Sequence, residues 1–347
     1  MTKNKLYARI AIELIPLAVV AWGCVKLAAL PALVSAGISP LTLAIVVGIV
    51  LGNIVPPRHV MHLIEGVQFS KAKLLRLGII LYGFRITLTQ VAHAGWPALL
   101  TDVAVVCTTF WLAMMLGKRF KMDNHTSALV GAGSAICGAA AVLAAQPVLN
   151  AKEHDTGVAV ATVVVFGTVA MFVYPLMAAA LLPHDASASA WFGWGLYTGG
   201  TVHEVAQVAA AGTAVNPVVA DIAVITKMIR VMLLAPFLLV LPWVMKHFNK
   251  ANEEAHGGVV IPWFAFGFLA MVGVNSVWTN MSPAVHQAIL AFDTFLLTVA
   301  MFALGLTTRW QSVRQAGIKP LLMAGILAVW LLIGGAAISY AAYELFQ

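Results

Sequence analysis

The chain has 347 residues, 61% of them hydrophobic and only 10% charged, with a mean hydropathy of +0.94. Soluble domains carry about 25% charged residues, so an ordinary soluble enzyme is excluded, and the length suits about ten membrane helices of roughly 20 residues with short loops. The net charge of +7 would point to nucleic acid only if the basic residues formed a soluble face, and they fall in short loops instead.

Lys3, Lys5 and Arg9 precede the first apolar stretch, as in a signal peptide. Glu13 interrupts that stretch, no convincing small-x-small cleavage site follows, and Ala-Trp-Gly-Cys at 21–24 is a poor lipoprotein box, so a retained membrane helix is predicted over 10–30. Further apolar stretches with polar breaks predict helices over 40–55, 74–92, 97–116, 127–149, 157–182, 191–212, 221–245, 261–278, 287–308 and 320–343. No polar linker is long enough to divide the chain, so residues 1–347 are expected to form a single integral membrane domain. Cys24, Cys107 and Cys137 have no spacing that implies a disulfide framework or a metal site.

With the N-terminus placed inside, 15 of the 20 Lys and Arg residues fall in inside segments and only Lys152 falls in an outside loop. This positive-inside bias supports eleven spans, a cytoplasmic N-terminus and a periplasmic C-terminus. It also argues against nucleic acid as a partner. Lys26, Arg85, Lys227 and Arg230 lie within the predicted helices.

An internal repeat runs at an offset of 222. PLTLAIVVGIVLGN from Pro40 to Asn53 matches PWFAFGFLAMVGVN from Pro262 to Asn275. LLRLGIILYGFRIT from Leu74 matches LLTVAMFALGLTTR from Leu296, pairing Gly83 with Gly305. Ala94-Gly95 matches Ala316-Gly317, so the repeat halves are 40–116 and 262–338. Seven predicted spans separate the members of each pair, an odd number, so the copies are expected to be inverted, as in secondary transporters. A weaker echo at offset 67 pairs Gly133-Ser134 with Gly200-Thr201 and Pro175 with Pro242. These copies would be parallel, unless a segment near 185–212 is re-entrant.

Two segments, within 127–182 and 191–245, carry the chemistry. Gly131 to Gly138 reads GAGSAICG, and three glycines in eight residues make a continuous helix costly at about 1 kcal/mol each. Ser134 is a candidate cap for a helix restarting at 135. Such a break at membrane depth must be buried in protein or line a cavity, and its restarted half would offer free N–H groups to an anion. The alternative is close helix packing through small residues. Gly199 to Gln207 reads GGTVHEVAQ, with Thr201 as candidate cap, Glu204 completing a capping box, and His203 and Gln207 on one face. Ionisable residues inside a membrane are functional by default, although Glu204 could merely close the cap. Lys227 and Arg230 share a face three residues apart and would either snorkel or meet Glu204 or an anion. Glu13, Arg85, Asp102 and Asp293 are further intramembrane charges, with snorkelling or a structural ion pair, not substrate contact, expected for Arg85. The repeat-matched Asn53 and Asn275 could bond broken-helix backbone.

No HExxH, GxSxG or Walker loop is present, so an enzyme and an ATP-driven pump are disfavoured. No cofactor or metal is implied.

The stretches GAGSAICGAAAVLAAQP to VVFGTVAMFVYP at 131–175, GGTVHEVAQVAAAG at 199–212, ITKMIRVMLLAP at 225–236 and IPWFAFGFL at 261–269 resemble the YeiH-type bacterial inner-membrane proteins, often labelled sulfate exporters. The resemblance spans nearly the whole chain. Where such proteins carry Gly-Thr-Ser or Gly-Ser-Ser before Ile-Cys-Gly, this chain has Gly-Ser-Ala at 133–135, one hydroxyl fewer. The resemblance implies an all-α polytopic fold related to the bile-acid/sodium and sodium/proton antiporters, and transfers fold and class better than substrate.

Together these features lead to an expected secondary transporter of a small anion in the inner membrane. Its expected substrate residues are Gly133, Ser134, Cys137, Gly138, Gly200, Thr201, His203, Gln207, Lys227, Arg230, Asn53 and Asn275, with Glu204 and His203 as proton-coupling groups. The alternatives are a cation/proton antiporter using Glu204 and Asp293, or a membrane-embedded enzyme or sensor. Substrate identity, direction and coupling ion stay open, as does assembly into a homo-oligomer.

Overall fold

The computed structural model describes residues 3–35, 38–56, 62–183, 186–248, 263–278 and 281–346. Among the described residues every regular element is helical. In chain order they are α1 (Lys3–Ala28), α2 (Pro31–Ser35), α3 (Pro40–Ile54), α4 (Ile64–Phe69), α5 (Leu75–Tyr82), α6 (Leu88–Arg119), α7 (Asn124–Ala135), α8 (Ala139–Leu149) and α9 (Glu153–Leu181). There follow α10 (Ala188–Thr201), α11 (Val205–Val215), α12 (Pro217–Met232), α13 (Leu234–Phe248), α14 (Trp263–Val277), α15 (Pro283–Thr307), α16 (Trp310–Gln315) and α17 (Ile318–Glu344). A π-turn at Ser70–Leu74 joins α4 to α5, and a 3-10 turn at Gly83–Arg85 ends α5.

Five helices are long and apolar enough to cross a membrane: α6, α9, α15, α17 and Leu6–Ala28 of α1. The pair α12 and α13, bent by 44° at Leu233, makes a sixth. Shorter apolar helices, α3, α8, α11 and α14, account for the other predicted stretches. Large apolar side chains point outward along these helices, among them Ile15, Trp22, Leu176, Leu239, Trp243 and Ile333. Surfaces of that kind suit a lipid solvent and not water.

One predicted segment, 74–92, is divided differently. The helix stops at the Gly83–Arg85 turn, Ile86 is extended, and a new 32-residue helix begins at Leu88 and runs through the predicted 97–116. Tertiary bonds outweigh apolar continuity here. The Arg85 guanidinium donates to Asp293 at 2.8–2.9 Å, to Thr294 Oγ1 and to the Leu290 carbonyl. Asn275 donates to the Ile86 carbonyl, and Ser276 Oγ accepts from the Leu88 N–H. Arg85 and Asp293 thus form a structural ion pair.

The chain forms two compact units, one of residues 1–88 and 264–310, the other of residues 89–263 and 311–347. In the first unit, contacts between the segments matched at offset 222 are reciprocal. Asn53 donates to the Thr308 carbonyl at 2.9 Å, and Asn275 donates to the Ile86 carbonyl at 3.0 Å. Adding 222 to 53 gives 275, and adding 222 to 86 gives 308, so the offset exchanges the two bonds. The matched glycines do the same to within one residue. A Cβ on Gly83 would stand 2.6 Å from the Phe268 carbonyl of α14, and one on Gly305 would stand 2.5 Å from the Ile45 carbonyl of α3. Residue i meeting j while j's equivalent meets i's equivalent is the mark of a two-fold relation. In the same unit Glu13 pairs with Arg9 at 2.6 Å and accepts from the Gly66 N–H at 2.8 Å, so its charge serves the first turns of α4.

The second unit packs α10 and α11 on α12, α9 on α7 and α11, and α17 on α9 and α10. Close approach of α10 to α12 depends on Gly199, where a Cβ would strike the Ala223 carbonyl.

The reciprocity has a measurable consequence. Asn53→Ala and Asn275→Ala should each lower thermal stability of the purified protein, by roughly 1 kcal/mol for each hydrogen bond lost. Gly83→Leu and Gly305→Leu should each abolish monodisperse material. A strong defect from only one member of each pair would count against equivalent roles.

Candidate functional site

The second unit contains two interrupted helices. The first interruption is Ile136-Cys137-Gly138, between α7 and α8, and the second is Val202-His203-Glu204, between α10 and α11. The offset of 67 aligns the two to within one residue. Gly138 has φ +67° and ψ −135°, a conformation open to glycine and costly for other residues. A Cβ there would also stand 2.6 Å from Glu204 Cγ, so the turn at one break is shaped around the carboxylate of the other.

Each break leaves unpaired carbonyls on one side and unpaired N–H groups on the other. Some are satisfied locally. The Gly138 N–H bonds the Gly133 carbonyl at 2.9 Å, and the Thr201 hydroxyl bonds the Tyr197 carbonyl while accepting from Tyr174 Oη at 2.7 Å. The remaining carbonyls are met by two cations from α12. Lys227 Nζ donates to the Ile136 carbonyl at 2.6 Å and to the Val202 carbonyl at 2.9 Å. Arg230 donates through Nη1 to Gly200 and through Nη2 to Val202. Both side chains are completely buried. One ammonium touching both carbonyls brings the C-terminal ends of α7 and α10 to the same place.

The opposite charge serves the N-terminal ends. The Glu204 carboxylate accepts from the N3 backbone of α11, while Gln207 Oε1 accepts from the Glu204 N–H at 3.1 Å, completing a capping box. The same carboxylate accepts a long 3.5 Å bond from the Ala139 N–H, at the first turn of α8. Positive side chains at helix C-termini and a carboxylate at two helix N-termini match the sign of the helix dipoles at all four ends.

The caps therefore differ from those expected. Ser134 lies buried within the last turn of α7, and Thr201 is the last residue of α10. Gly138 and Glu204 occupy the cap positions. Both displacements follow from glycine at 138, whose backbone allows the turn two residues beyond Ile136, and from the extended backbone of Val202 and Glu204. Gly133 packs α7 against Val142 and Val163, Gly200 lies under Thr101 of α6, and Cys137 is buried within reach of the charges on Lys227, Arg230 and Glu204. Gln207 fills the space above Gly167. His203 is buried, its Nδ1 has no hydrogen-bond partner, and with Tyr174, Thr201 and Phe166 it lines a cavity of about 40 Å³. Asn53 and Asn275 belong to the first unit and bond backbone there. Among the described residues no group of three or more His, Cys, Asp or Glu side chains could hold a metal.

Asp102 of α6 joins this site without having been singled out for it. It is fully buried and lies within electrostatic reach of both Arg230 and Lys227. A lone carboxylate in an apolar helix is visible in sequence, but its partner stands 128 residues away, beyond any periodicity.

A family model described as "Conserved hypothetical protein 698" matches residues 12–324. The chain belongs to this family. It is 48% identical over 335 residues to the UPF0324 inner membrane protein YeiH of Escherichia coli strain K12, covering 95% of this chain and 93% of that protein. The UPF0324 membrane protein PA5383 of Pseudomonas aeruginosa is 48% identical over 309 residues, covering 86% of this chain and 85% of the relative. The UPF0324 membrane protein plu2856 of Photorhabdus laumondii is 46% identical over 322 residues, covering 91% and 89%. No solved structure matches the chain. Family membership, the all-helical fold and the apolar helices make this a membrane protein.

The carbonyl clamp has a direct test. Lys227→Met and Arg230→Met each strand buried carbonyls, at roughly 1–3 kcal/mol per unsatisfied group. Both should lower the thermal midpoint in detergent, with Arg230→Lys recovering part of the loss because it can reach only one carbonyl well. A melting curve unchanged in Lys227→Met would show that the ammonium does not hold the breaks together.

Proposed function

We propose that this protein is a secondary active transporter of a small anion in the bacterial inner membrane. The observation that carries the reading is the placement of Glu204. Its carboxylate stands where the first turns of α8 and α11 meet, a position that favours negative charge twice over. An internal anion there stands in for a substrate. When Glu204 takes a proton, the two helix ends need another anion, and a sulfate-like oxyanion, a sulfonate or a small carboxylate meets that need. His203, one residue away and with an unpartnered Nδ1, is the proton relay. Lys227 and Arg230 support the site by holding the breaks together and by setting its positive potential, with their donors committed to carbonyls.

In this reading the shorter helices combine with their neighbours into eleven membrane segments, with the N-terminus cytoplasmic and the C-terminus periplasmic. The two-fold relation within the first unit supports inverted repeats of the kind found in the bile-acid/sodium and sodium/proton antiporter folds. The protein works as a carrier and not as an enzyme. The cation/proton antiporter is the second reading, favoured by the buried carboxylate of Asp102 and weakened at Asp293, which is paired with Arg85.

The deciding experiment is uptake into proteoliposomes of sulfate, sulfite, thiosulfate, sulfonates and small carboxylates, with and without a pH gradient. Transport of one of these anions, lost or made pH-independent in Glu204→Gln, is the expected result. Anion-independent sodium or potassium flux coupled to protons would establish the second reading instead. A reporter fused after Gln347 should be active only in its periplasmic form. Cytoplasmic activity would overturn the eleven-segment topology.

A further inference from the structure

Arg230 holds the C-terminal end of α10 through its two terminal nitrogens, which donate to Gly200 and Val202. Its third donor, Nε, is buried and has no hydrogen-bond partner. Asp102 is fully buried, and both of its carboxylate oxygens lack a hydrogen-bond partner as well. Arg230 and Asp102 both reach Gly200, the one through its bond to the carbonyl and the other through its carboxylate. A Cβ on Gly200 would lie 2.7 Å from Thr101 Cγ2, 3.8 Å from Asp102 Oδ1 and 3.9 Å from Ser339 Oγ. Asp102 thus stands over the glycine whose carbonyl Arg230 holds. An acceptor and a donor of complementary charge, both dry and both unused, are unstable together unless one of them is neutral or the two are joined.

We propose that Asp102 is an exchangeable proton-binding site that controls the Arg230 clamp on α10. With Asp102 protonated, the carboxyl is neutral, and Arg230 spends its charge on the carbonyls of Gly200 and Val202, as the structure shows. Loss of that proton to water leaves a carboxylate. The guanidinium then turns to bond it side-on through Nε and one terminal nitrogen, the planar two-bond geometry that arginine favours. Nη2, the terminal nitrogen on the Nε side, gives up its bond to the Val202 carbonyl, and the break at Val202–Glu204 is freed to rearrange. The step is proton loss from Asp102 and exchange of Arg230's hydrogen bonds, with no other reactant.

The charged groups acting on Asp102 come from α12, Arg230 more strongly than Lys227. From the other neighbouring helices, α10 presents Gly200 and α17 presents Ser339, whose hydroxyl is donated to the Gly335 carbonyl at 2.8 Å. This setting selects a proton over a metal cation. A metal ion needs several oxygen ligands, and here it would face two positive side chains across a low-dielectric interior. A proton needs one carboxylate oxygen.

The site is independent of the anion reading and is tested without substrate. Infrared spectra of the purified protein in lipid, in sodium-free choline buffer, should show a protonated-carboxyl band that disappears as pH rises and is absent from Asp102→Asn. Hydrogen exchange of the backbone over 198–204 should rise at the same midpoint in the wild type. It should stay low at all pH values in Asp102→Asn, which mimics the neutral acid. Asp102→Glu, which keeps the titrating group, should shift the midpoint and serves if the asparagine variant fails to assemble. A carboxyl band that persists in Asp102→Asn, exchange over 198–204 that ignores pH, or an unshifted midpoint in Asp102→Glu would overturn the proposal. So would a midpoint that moves when sodium replaces choline, which would mark a metal-cation site. None of these results depends on which anion is carried, so failure here and failure of the uptake screen are distinguishable.

Discussion

Broken helices inside a membrane depend on finding partners for backbone groups that no water can reach. In the second unit that requirement is met by four side chains. Lys227 and Arg230 hold three carbonyls at the ends of α7 and α10. Glu204 and Gln207 organise the first turn of α11, with Glu204 reaching α8 as well. Without these contacts the breaks would be places where the helices either reform or unfold. With them, the polypeptide keeps two irregular segments beside each other and presents their dipoles to one point.

The sign pattern decides what such a point can hold. Cations at the carbonyl ends and a carboxylate at the amide ends each meet helix dipoles of opposite sign, which is how two broken helices become tolerable in a low-dielectric interior. The same balance makes the site responsive. Neutralising Glu204 leaves two positive helix ends unanswered, and charging Asp102 offers Arg230 a partner stronger than a carbonyl. The two carboxylates act at opposite ends of the breaks, so their effects are separable by mutation.

The first unit is organised by a different constraint, close approach of backbones. Glycines at 48, 52, 83 and 305 let helices cross where any Cβ would meet a carbonyl or a Cα. The bonds from Asn53 and Asn275 then fix the chain where helices end, each to the segment that follows the matched glycine. Small residues and a few side-chain amides are the expected means of helix association where burial in lipid supplies no hydrophobic drive.

Much of this was legible in the residues themselves. Composition and hydropathy determine a helical membrane protein, because apolar stretches of this length have no other stable form in lipid. The offset of 222 marks Asn53, Asn275, Gly83 and Gly305 as equivalent, and the glycine-rich runs mark both breaks, since glycine cost is a local property. What only tertiary structure decided is pairing. Ser134 and Thr201 have the chemistry of caps, yet Gly138 and Glu204 take that place, because cap choice follows the backbone path through the break and the contact between Gly138 and Glu204. Lys227 and Arg230 read equally well as snorkelling residues or anion ligands. Their commitment to the carbonyls of residues 136, 200 and 202 depends on α12 crossing both breaks. Asp102 is one carboxylate among several in the sequence, and only the folded unit sets it over Gly200 beside Arg230. Periodicity reports which face a residue occupies, while the charge that neutralises it is set by a helix more than a hundred residues away.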